Sequence, residues 1–146
     1  MPERVSETAV RAAHDLRILI GRLRRRVKEA GGDGELTPSQ ESVVRRLDRQ
    51  GPLSASDLAA AERVRPQSMA AVIAALDERG WIERQADPHD GRKQLLSLTA
   101  AAQKDLRNWR RLREEWLARA LQDRYTHDER ETITEALALL YRITEP

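Results

Sequence analysis

The stretch Arg65-Pro-Gln-Ser-Met-Ala-Ala-Val-Ile-Ala-Ala-Leu-Asp-Glu-Arg-Gly80 decides how this chain folds. Proline is favoured in the first turn of a helix and glycine just past its end, so the stretch predicts a helix from Pro66 to Arg79. Its large apolar residues recur at the three- and four-residue spacing of one buried face: Met69, Val72, Ile73 and Leu76. The residues then left outward near its start are Gln67, Ser68 and Ala71, with Arg65 just ahead of them.

Upstream of this helix, two further helix starts are marked by their capping residues. Thr37-Pro38-Ser39-Gln40 combines an N-cap, a proline and a capping-box glutamine, and Gly51-Pro52 ends the helix that they open. Ser54 is followed three residues later by Asp57, which predicts a short helix running to about Glu62. The chain thus places two short helices in succession before the turn at Arg65.

Downstream, the pattern changes from helix to hairpin. Two short runs, 81–86 and 93–98, flank the turn-rich Asp87-Pro-His-Asp-Gly-Arg92, which is typical of a β-hairpin. We expect this hairpin to be the only β structure.

The terminal segments predict three more helices. The first carries a stripe that ends near Gly31–Gly32, before the glycine-rich first loop: Leu16, Leu19, Ile20, Leu23 and Val27. Thr99 and Thr126 cap the last two helices. The apolar residues of the sixth helix are Ile133, Leu137, Leu140 and Tyr141. The fifth helix carries a stripe, with Leu112 at its edge: Leu106, Trp109, Trp116, Leu117 and Ala120. Arg113 interrupts that stripe, and we expect its stem to lie along it with the charge in water. The fold class is therefore mainly α, with six helices and one hairpin in a single domain, 1–146.

Composition excludes several classes of function. The 146 residues include no cysteine, which removes disulfides, thiolate metal sites and thiol nucleophiles. The three histidines, His14, His89 and His127, are scattered, and no glycine-rich phosphate loop is present, so we expect no enzyme, no metal site and no cofactor. No apolar run is long enough to cross a bilayer, and we expect a cytoplasmic protein with no membrane partner.

Charge is distributed unevenly along the chain. Residues 65–113 hold ten basic and six acidic side chains, whereas residues 114–146 hold four basic and eight acidic ones. A basic centre suits a surface that faces phosphates, although solvated helix faces carry such charges too.

The order of helix, short helix, helix and hairpin is that of a winged helix-turn-helix, in which the helix from Pro66 lies in the major groove of DNA. Gln67 can bond adenine bidentately, Ser68 can donate or accept, and Ala71 can meet a thymine methyl. The alternative is an ordinary amphipathic helix with a polar side. Phosphate contacts are expected from Ser54, Ser56, Arg65, Arg79 and Lys93.

The hairpin would then be the wing. Asp90-Gly91 makes a tight turn that places Arg92 and Lys93 at its tip, where a guanidinium can enter a narrow minor groove. Alternatively, Arg92 pairs with Asp90 or Asp87 and stiffens the loop. His89 fits a solvated loop residue better than a DNA contact.

These residues resemble the DNA-binding core of the MarR family. The resemblance runs through Leu36-Thr-Pro-Ser-Gln40, Gly51-Pro-Leu-Ser54, Asp57-Leu-Ala59, Arg65-Pro-Gln-Ser-Met69 and Leu76 with Gly80 and Glu83-Arg84. Its most specific piece is Asp90-Gly-Arg92 followed by Leu98-Thr99, which matches the family's wing signature. Many relatives carry two arginines after the wing aspartate, whereas Gly91 replaces the first of them here. The DNA-binding core is accordingly placed at 36–99.

The resemblance implies a homodimer formed by the terminal helices, 5–31 and 100–144, with two wings and two recognition helices on a palindromic double-stranded DNA operator. It also implies repression relieved by a small phenolic or anionic ligand, in a crevice bordered here by His14, Arg17 and Trp109. The alternative function is a ligand-independent architectural or protein-interaction winged module.

Overall fold

The computed structural model describes residues 4–31 and 36–146. The chain divides into two compact units, one formed by residues 1–32 and 111–146 and the other by residues 33–110. We call them the terminal-helix unit and the winged unit and describe each by itself. Within the described ranges, none of the helices combines the length and apolar character that a membrane crossing needs.

Six α-helices are present in the described residues, as the sequence predicts. Their bounds are α1 Glu7–Gly31, α2 Pro38–Gln50, α3 Ala55–Glu62, α4 Pro66–Glu78, α5 Ala100–Arg124 and α6 His127–Tyr141, and a single 3₁₀ turn, Arg142–Thr144, follows α6. The strands are β1 Leu53–Ser54, β2 Ile82–Ala86 and β3 Gln94–Leu98. The glycine-rich loop predicted after Gly31 falls on residues outside the described ranges.

The predicted capping residues begin the helices. The Thr37 hydroxyl accepts from the Gln40 amide at 3.2 Å, and the Gln40 side chain accepts from the Thr37 amide at 3.1 Å, which completes a capping box. Thr126 and Glu129 form the same reciprocal pair at the start of α6. These bonds satisfy amides that a helix start otherwise leaves without a partner.

The sheet of the winged unit has three antiparallel strands in the order β1-β3-β2, so the expectation of a hairpin alone is wrong. Leu53 and Ser54 pair with Leu96 and Leu95 on the outer side of β3. A two-residue strand is too short to show the alternation that predicts a strand, and it forms because β3 offers a free edge to a chain already extended after Gly51.

The core of the winged unit lies between α2, α3, α4 and the sheet. Leu58 and Leu76 are fully buried, and Met69 and Trp81 retain 2% exposure. Val72, Leu106 and Trp109 are partly buried and pack against this core. The apolar face predicted for α4 is therefore the face that anchors it.

The terminal-helix unit is far less buried. α6 contains no buried residue, and in α1 only Gly31 is buried. A Cβ atom at Gly31 would lie 2.6 Å from Cγ of Arg113, so the close approach of that side chain requires glycine. Nε of Arg113 is buried, so this part of its charged group is withdrawn from water, while the residue as a whole is half-buried. The cause is packing over Gly31.

Candidate nucleic-acid interface

Helix α4 presents the residues predicted to read DNA. Met69, Ile73 and Leu76 are buried, and this fixes the rotation of the helix about its axis. The opposite side is exposed at every candidate position: Arg65, Pro66, Gln67, Ser68 and Ala71. The structure thus brings these five residues together at the start of one helix, on its solvent side.

The start of α4 differs from the other helix starts. Among the six helices of residues 4–31 and 36–146, α4 alone begins without a side-chain cap, since its N-cap residue Arg65 makes no capping hydrogen bond. The first hydrogen bond of the helix joins the Met69 amide to the Arg65 carbonyl at 3.1 Å, and the amides of Gln67 and Ser68 precede it in the same turn. A helix N-terminus with free amides and a positive dipole end attracts phosphate oxygens.

The wing is closed by backbone hydrogen bonds around its tip. The Asp87 amide donates to the Lys93 carbonyl at 2.9 Å, and the Lys93 amide donates to the Asp90 carbonyl at 2.9 Å. The two carboxylates accept from backbone as well: Asp87 from the His89 amide at 2.8 Å and Asp90 from the Arg92 amide at 3.1 Å. The tip is therefore held by its own main chain.

These contacts bear on the alternative in which Arg92 pairs with Asp90 or Asp87 and stiffens the loop, whereas the minor-groove role of Arg92 stays a prediction. Asp90 does meet Arg92, but through the Arg92 backbone amide and not through its guanidinium. Arg92, Lys93 and His89 are exposed, and none of the ion pairs among the described residues involves the Arg92 or Lys93 side chain. Two cations at the tip thus face solvent.

Three hydrogen bonds that the sequence did not predict join the wing and the residue after it to α4 and the segment that follows α4. Arg84 in β2 donates to Asp77 near the end of α4 at 2.7 Å. The Thr99 hydroxyl donates to the Gly80 carbonyl at 2.7 Å, and the Thr99 amide donates to the Trp81 carbonyl at 3.0 Å. The charges at 77 and 84 are visible in the sequence, but nothing in their spacing indicates a pair.

An open cleft of about 650 Å³ lies between the start of α3, the outer side of α4 and the wing. Ser56, Arg84, Arg92 and Lys93 line it together with Asp77, so its cations outnumber its single carboxylate. A groove of this charge suits a phosphate backbone.

The remaining predicted phosphate contacts are placed differently. Ser54 is 5% exposed, and its hydroxyl accepts from the Asp57 amide at 3.1 Å as the cap of α3. Arg79 is exposed, and its guanidinium lies over the Trp81 ring, 4.9 Å from the ring centroid. Ser54 is therefore already engaged in capping, whereas Ser56 remains exposed.

The residues predicted to border a ligand crevice fall in both units. His14 is exposed, and Arg17 lines an apolar cavity with Ile20 and Leu140 in the terminal-helix unit. Trp109 belongs to the winged unit, where its ring centroid lies 5.3 Å from that of Trp81. This crevice stays a prediction.

A polar cluster between α2 and α3 also escaped the sequence analysis. The Glu62 carboxylate accepts from the Ser42 hydroxyl at 2.6 Å and from Nε of Arg46 at 2.8 Å. These two hydrogen bonds, of which the Ser42 bond is the stronger cause, lower the pKa of Glu62 below its ordinary value. The cluster fixes α3 on α2 and so positions the turn that leads into α4.

Within the described ranges, no three metal-binding side chains come together.

The fold and the exposed face of α4 define a winged helix-turn-helix of the DNA-binding type. Residues 36–93 match the MarR family model. The HTH-type transcriptional regulator ML2140 of Mycobacterium leprae is 32% identical over 139 residues, which is 95% of this chain and 96% of that protein. The chain belongs to the MarR family of transcriptional regulators.

Solved structures agree on the fold. A protein of Pseudomonas aeruginosa described as a transcriptional regulator is 32% identical, with a TM-score of 0.81 over 97% of this chain and 99% of that one. A mutant of MepR from Staphylococcus aureus, bound to an oligodeoxyribonucleotide, is 17% identical, with a TM-score of 0.68 over 92% and 98%. The Mycobacterium leprae and Pseudomonas aeruginosa proteins are both described as regulators of transcription.

Proposed function

We propose that this protein is a repressor that binds an inverted-repeat operator as a homodimer and is released by a small aromatic or anionic ligand. One observation carries the proposal: α4 is anchored by a buried apolar face, and its exposed start carries Gln67, Ser68 and Ala71 beside amides without a side-chain cap. We place this activity in the cytoplasm, because a regulator of transcription acts on the chromosome.

Base recognition is assigned to three residues of α4. Gln67 has the amide that pairs bidentately with adenine, and Ala71 is small enough to contact a thymine methyl. The Ser68 hydroxyl can either donate a hydrogen bond to a base or accept one from it. All three are exposed. Specificity is expected to depend most on Gln67, because it alone of the three can make two directional bonds to one base.

Phosphate contacts are assigned to the start of α4 and, separately, to the cleft between α3, α4 and the wing. Arg65 and the α4 amides face one part of the backbone, and Ser56, Lys93 and Arg92 face another, with Arg92 close enough to the wing tip to enter a minor groove. The MepR mutant, which has the same fold, is bound to an oligodeoxyribonucleotide.

The homodimer is supported by apolar surface on the terminal helices. Helix α6 has 15 residues and none of them is buried, so packing within its own chain contributes little to its stability. Covering its apolar side with a second copy would stabilise it. The exposed large apolar residues of α1, α6 and the turn after α6 include Leu19, Ile20, Leu137, Leu140, Tyr141 and Ile143.

A gel shift tests the DNA-binding part, with the protein and the promoter region of its own gene. We expect binding to an inverted repeat whose half-sites lie about one helical turn, roughly 34 Å, apart. Absence of binding to any inverted repeat at low salt would overturn the regulator proposal and favour a protein-interaction module. Light scattering at micromolar concentration tests the dimer, and a monomer would contradict it.

Ligand release is tested separately by thermal shift across aromatic carboxylates and phenols, followed by the gel shift with any compound that stabilises the protein. We expect a stabilising compound to reduce operator binding. No change in melting temperature over the panel would leave a ligand-independent DNA-binding protein.

A further inference from the structure

The turn between α3 and α4 contains a residue in a left-handed backbone conformation. Arg63 has φ 55° and ψ 43°, and it is the one non-glycine residue with a positive φ within the described ranges. A side chain in this conformation crowds its own backbone, so glycine is the preferred residue there. Just after α2 and α4 this chain does use glycine, with Gly51 at φ 78° and Gly80 at φ 73°. Arginine at position 63 is therefore an exception within this chain.

The left-handed conformation of Arg63 ends α3 through main-chain atoms alone. The Arg63 amide donates to the Ala60 carbonyl at 3.2 Å, and the Val64 amide donates to the Ala59 carbonyl at 3.0 Å. This pair of bonds is the one with which a left-handed residue closes a helix, and glycine forms it equally well. The turn thus does not need the arginine side chain.

The Arg63 side chain contributes no ion pair to the described part of the fold. Arg63 is exposed, and no ion pair between residues of 4–31 and 36–146 involves it. The carboxylate of its neighbour Glu62 is already engaged by Ser42 and Arg46. The first turn of α4 contains no acidic residue, and exposed Arg65 follows two residues after Arg63. Two exposed cations therefore stand where the chain enters α4.

We propose that Arg63 is a DNA-binding residue whose guanidinium contacts a backbone phosphate beside the bases that α4 reads. A guanidinium matches a phosphate through two parallel hydrogen bonds. Strained backbone that no contact within the chain explains is typical of residues that serve function at a cost in stability. A phosphate contact carries no base preference, so Arg63 should act on every DNA sequence.

This inference rests on the proposed function only in that the protein binds DNA. It needs neither an inverted repeat nor repression nor a ligand. A duplex of unrelated sequence at low salt is therefore a sufficient probe, and an operator duplex is measured beside it.

The variants Arg63→Gly and Arg63→Gln test the two parts of the proposal, the phosphate contact and the cost in stability. Both should bind both duplexes at least about fivefold more weakly in fluorescence anisotropy, because a charge-assisted contact is lost. The slope of log affinity against log salt should fall by about one per subunit. In urea unfolding without DNA, Arg63→Gly should raise the midpoint, because glycine adopts a positive φ without crowding, whereas Arg63→Gln should leave the midpoint unchanged.

Arg107→Gln is the matched control for charge. Arg107 is an exposed arginine of α5 in the same unit, and it does not line the cleft between α3, α4 and the wing. This variant should change neither the affinity nor the salt slope. Arg63→Lys keeps the positive charge and should restore most of the affinity that Arg63→Gln loses.

Unchanged affinity in both Arg63 variants, or an equal loss in Arg107→Gln, would overturn the phosphate contact. A lower urea midpoint in Arg63→Gly would overturn the claim that arginine is kept here at a cost in stability. The repressor proposal fails on a different result, namely equal affinity of the natural protein for inverted repeats and for the unrelated duplex. The effect of Arg63 is still measured on the unrelated duplex in that case.

Discussion

Nη1 of Arg84 lies 2.7 Å from Oδ2 of Asp77, and this ion pair joins the first strand of the wing to the last turns of α4. Both side chains are about two-fifths exposed, so the pair adds little to the free energy of unfolding. Its consequence lies in geometry, because it holds α4 and the wing, two elements of the winged unit, in one arrangement.

We predict that Asp77→Asn weakens DNA binding although it removes a negative charge from the cleft. The variant loses the ion pair that holds the wing to α4. The wing must then be ordered when DNA binds, which costs about 1 kcal/mol of binding free energy. Fluorescence anisotropy with an operator duplex measures the affinity. Glu78→Gln, which removes an exposed neighbouring charge, serves as the control and should not weaken binding. Tighter binding by Asp77→Asn would show that Asp77 acts only as a repelling charge.

Gln67→Ala should lower operator affinity by about 1–3 kcal/mol and relax base preference at one position of each half-site. The exposed amide of Gln67 is expected to read a base edge, so the loss depends on sequence. Binding to a set of operators substituted one base pair at a time measures this effect, with Gln103→Ala on α5 as the control. Equal losses on all duplexes would place Gln67 on phosphate.

Lys93→Ala should weaken binding to every duplex alike. Removing one phosphate-binding cation from each subunit should lower the slope of log affinity against log salt by about one per subunit, because fewer counterions are then released from the DNA. The slope is measured between low and physiological salt, and Lys104→Ala, an exposed lysine on α5, should leave it unchanged. An unaltered slope in Lys93→Ala would place this side chain off the DNA.

Glu62→Gln should destabilise the winged unit by about 1–3 kcal/mol at pH 7, because it weakens hydrogen bonds from Ser42 and Arg46 to a charged, mostly buried acceptor. Folding lowers the pKa of Glu62 from its ordinary value of 4.5. The stabilisation is therefore fully present above pH 4.5 and is lost as the pH falls through the lower pKa of the folded state.

Urea unfolding at pH 7 and at pH 3 measures this dependence. The difference between the natural protein and Glu62→Gln should narrow at the lower pH, and Glu83→Gln, which removes an exposed charge, should show no comparable difference. A difference that stays constant or grows on acidification would contradict the lowered pKa.

Much of the fold was predictable because its signals are local. The capping box of Thr37 and Gln40 joins residues three apart, and the buried face of α4 follows a repeat that is visible within one helix. The strand β1 was missed because two residues carry no repeat. Glu62 was missed because its partners lie 16 and 20 residues away in the chain.

The sequence by itself determined where the helices start and end and which residues of α4 face outward, since backbone hydrogen bonding and apolar spacing act over a few residues. Only the tertiary structure decided which polar groups are already engaged. It joined Glu62 to Ser42 and Arg46, paired Arg84 with Asp77, and packed Trp109 on Trp81. The physical reason is that a side chain's partners are its neighbours in space, and folding chooses those neighbours from distant parts of the chain.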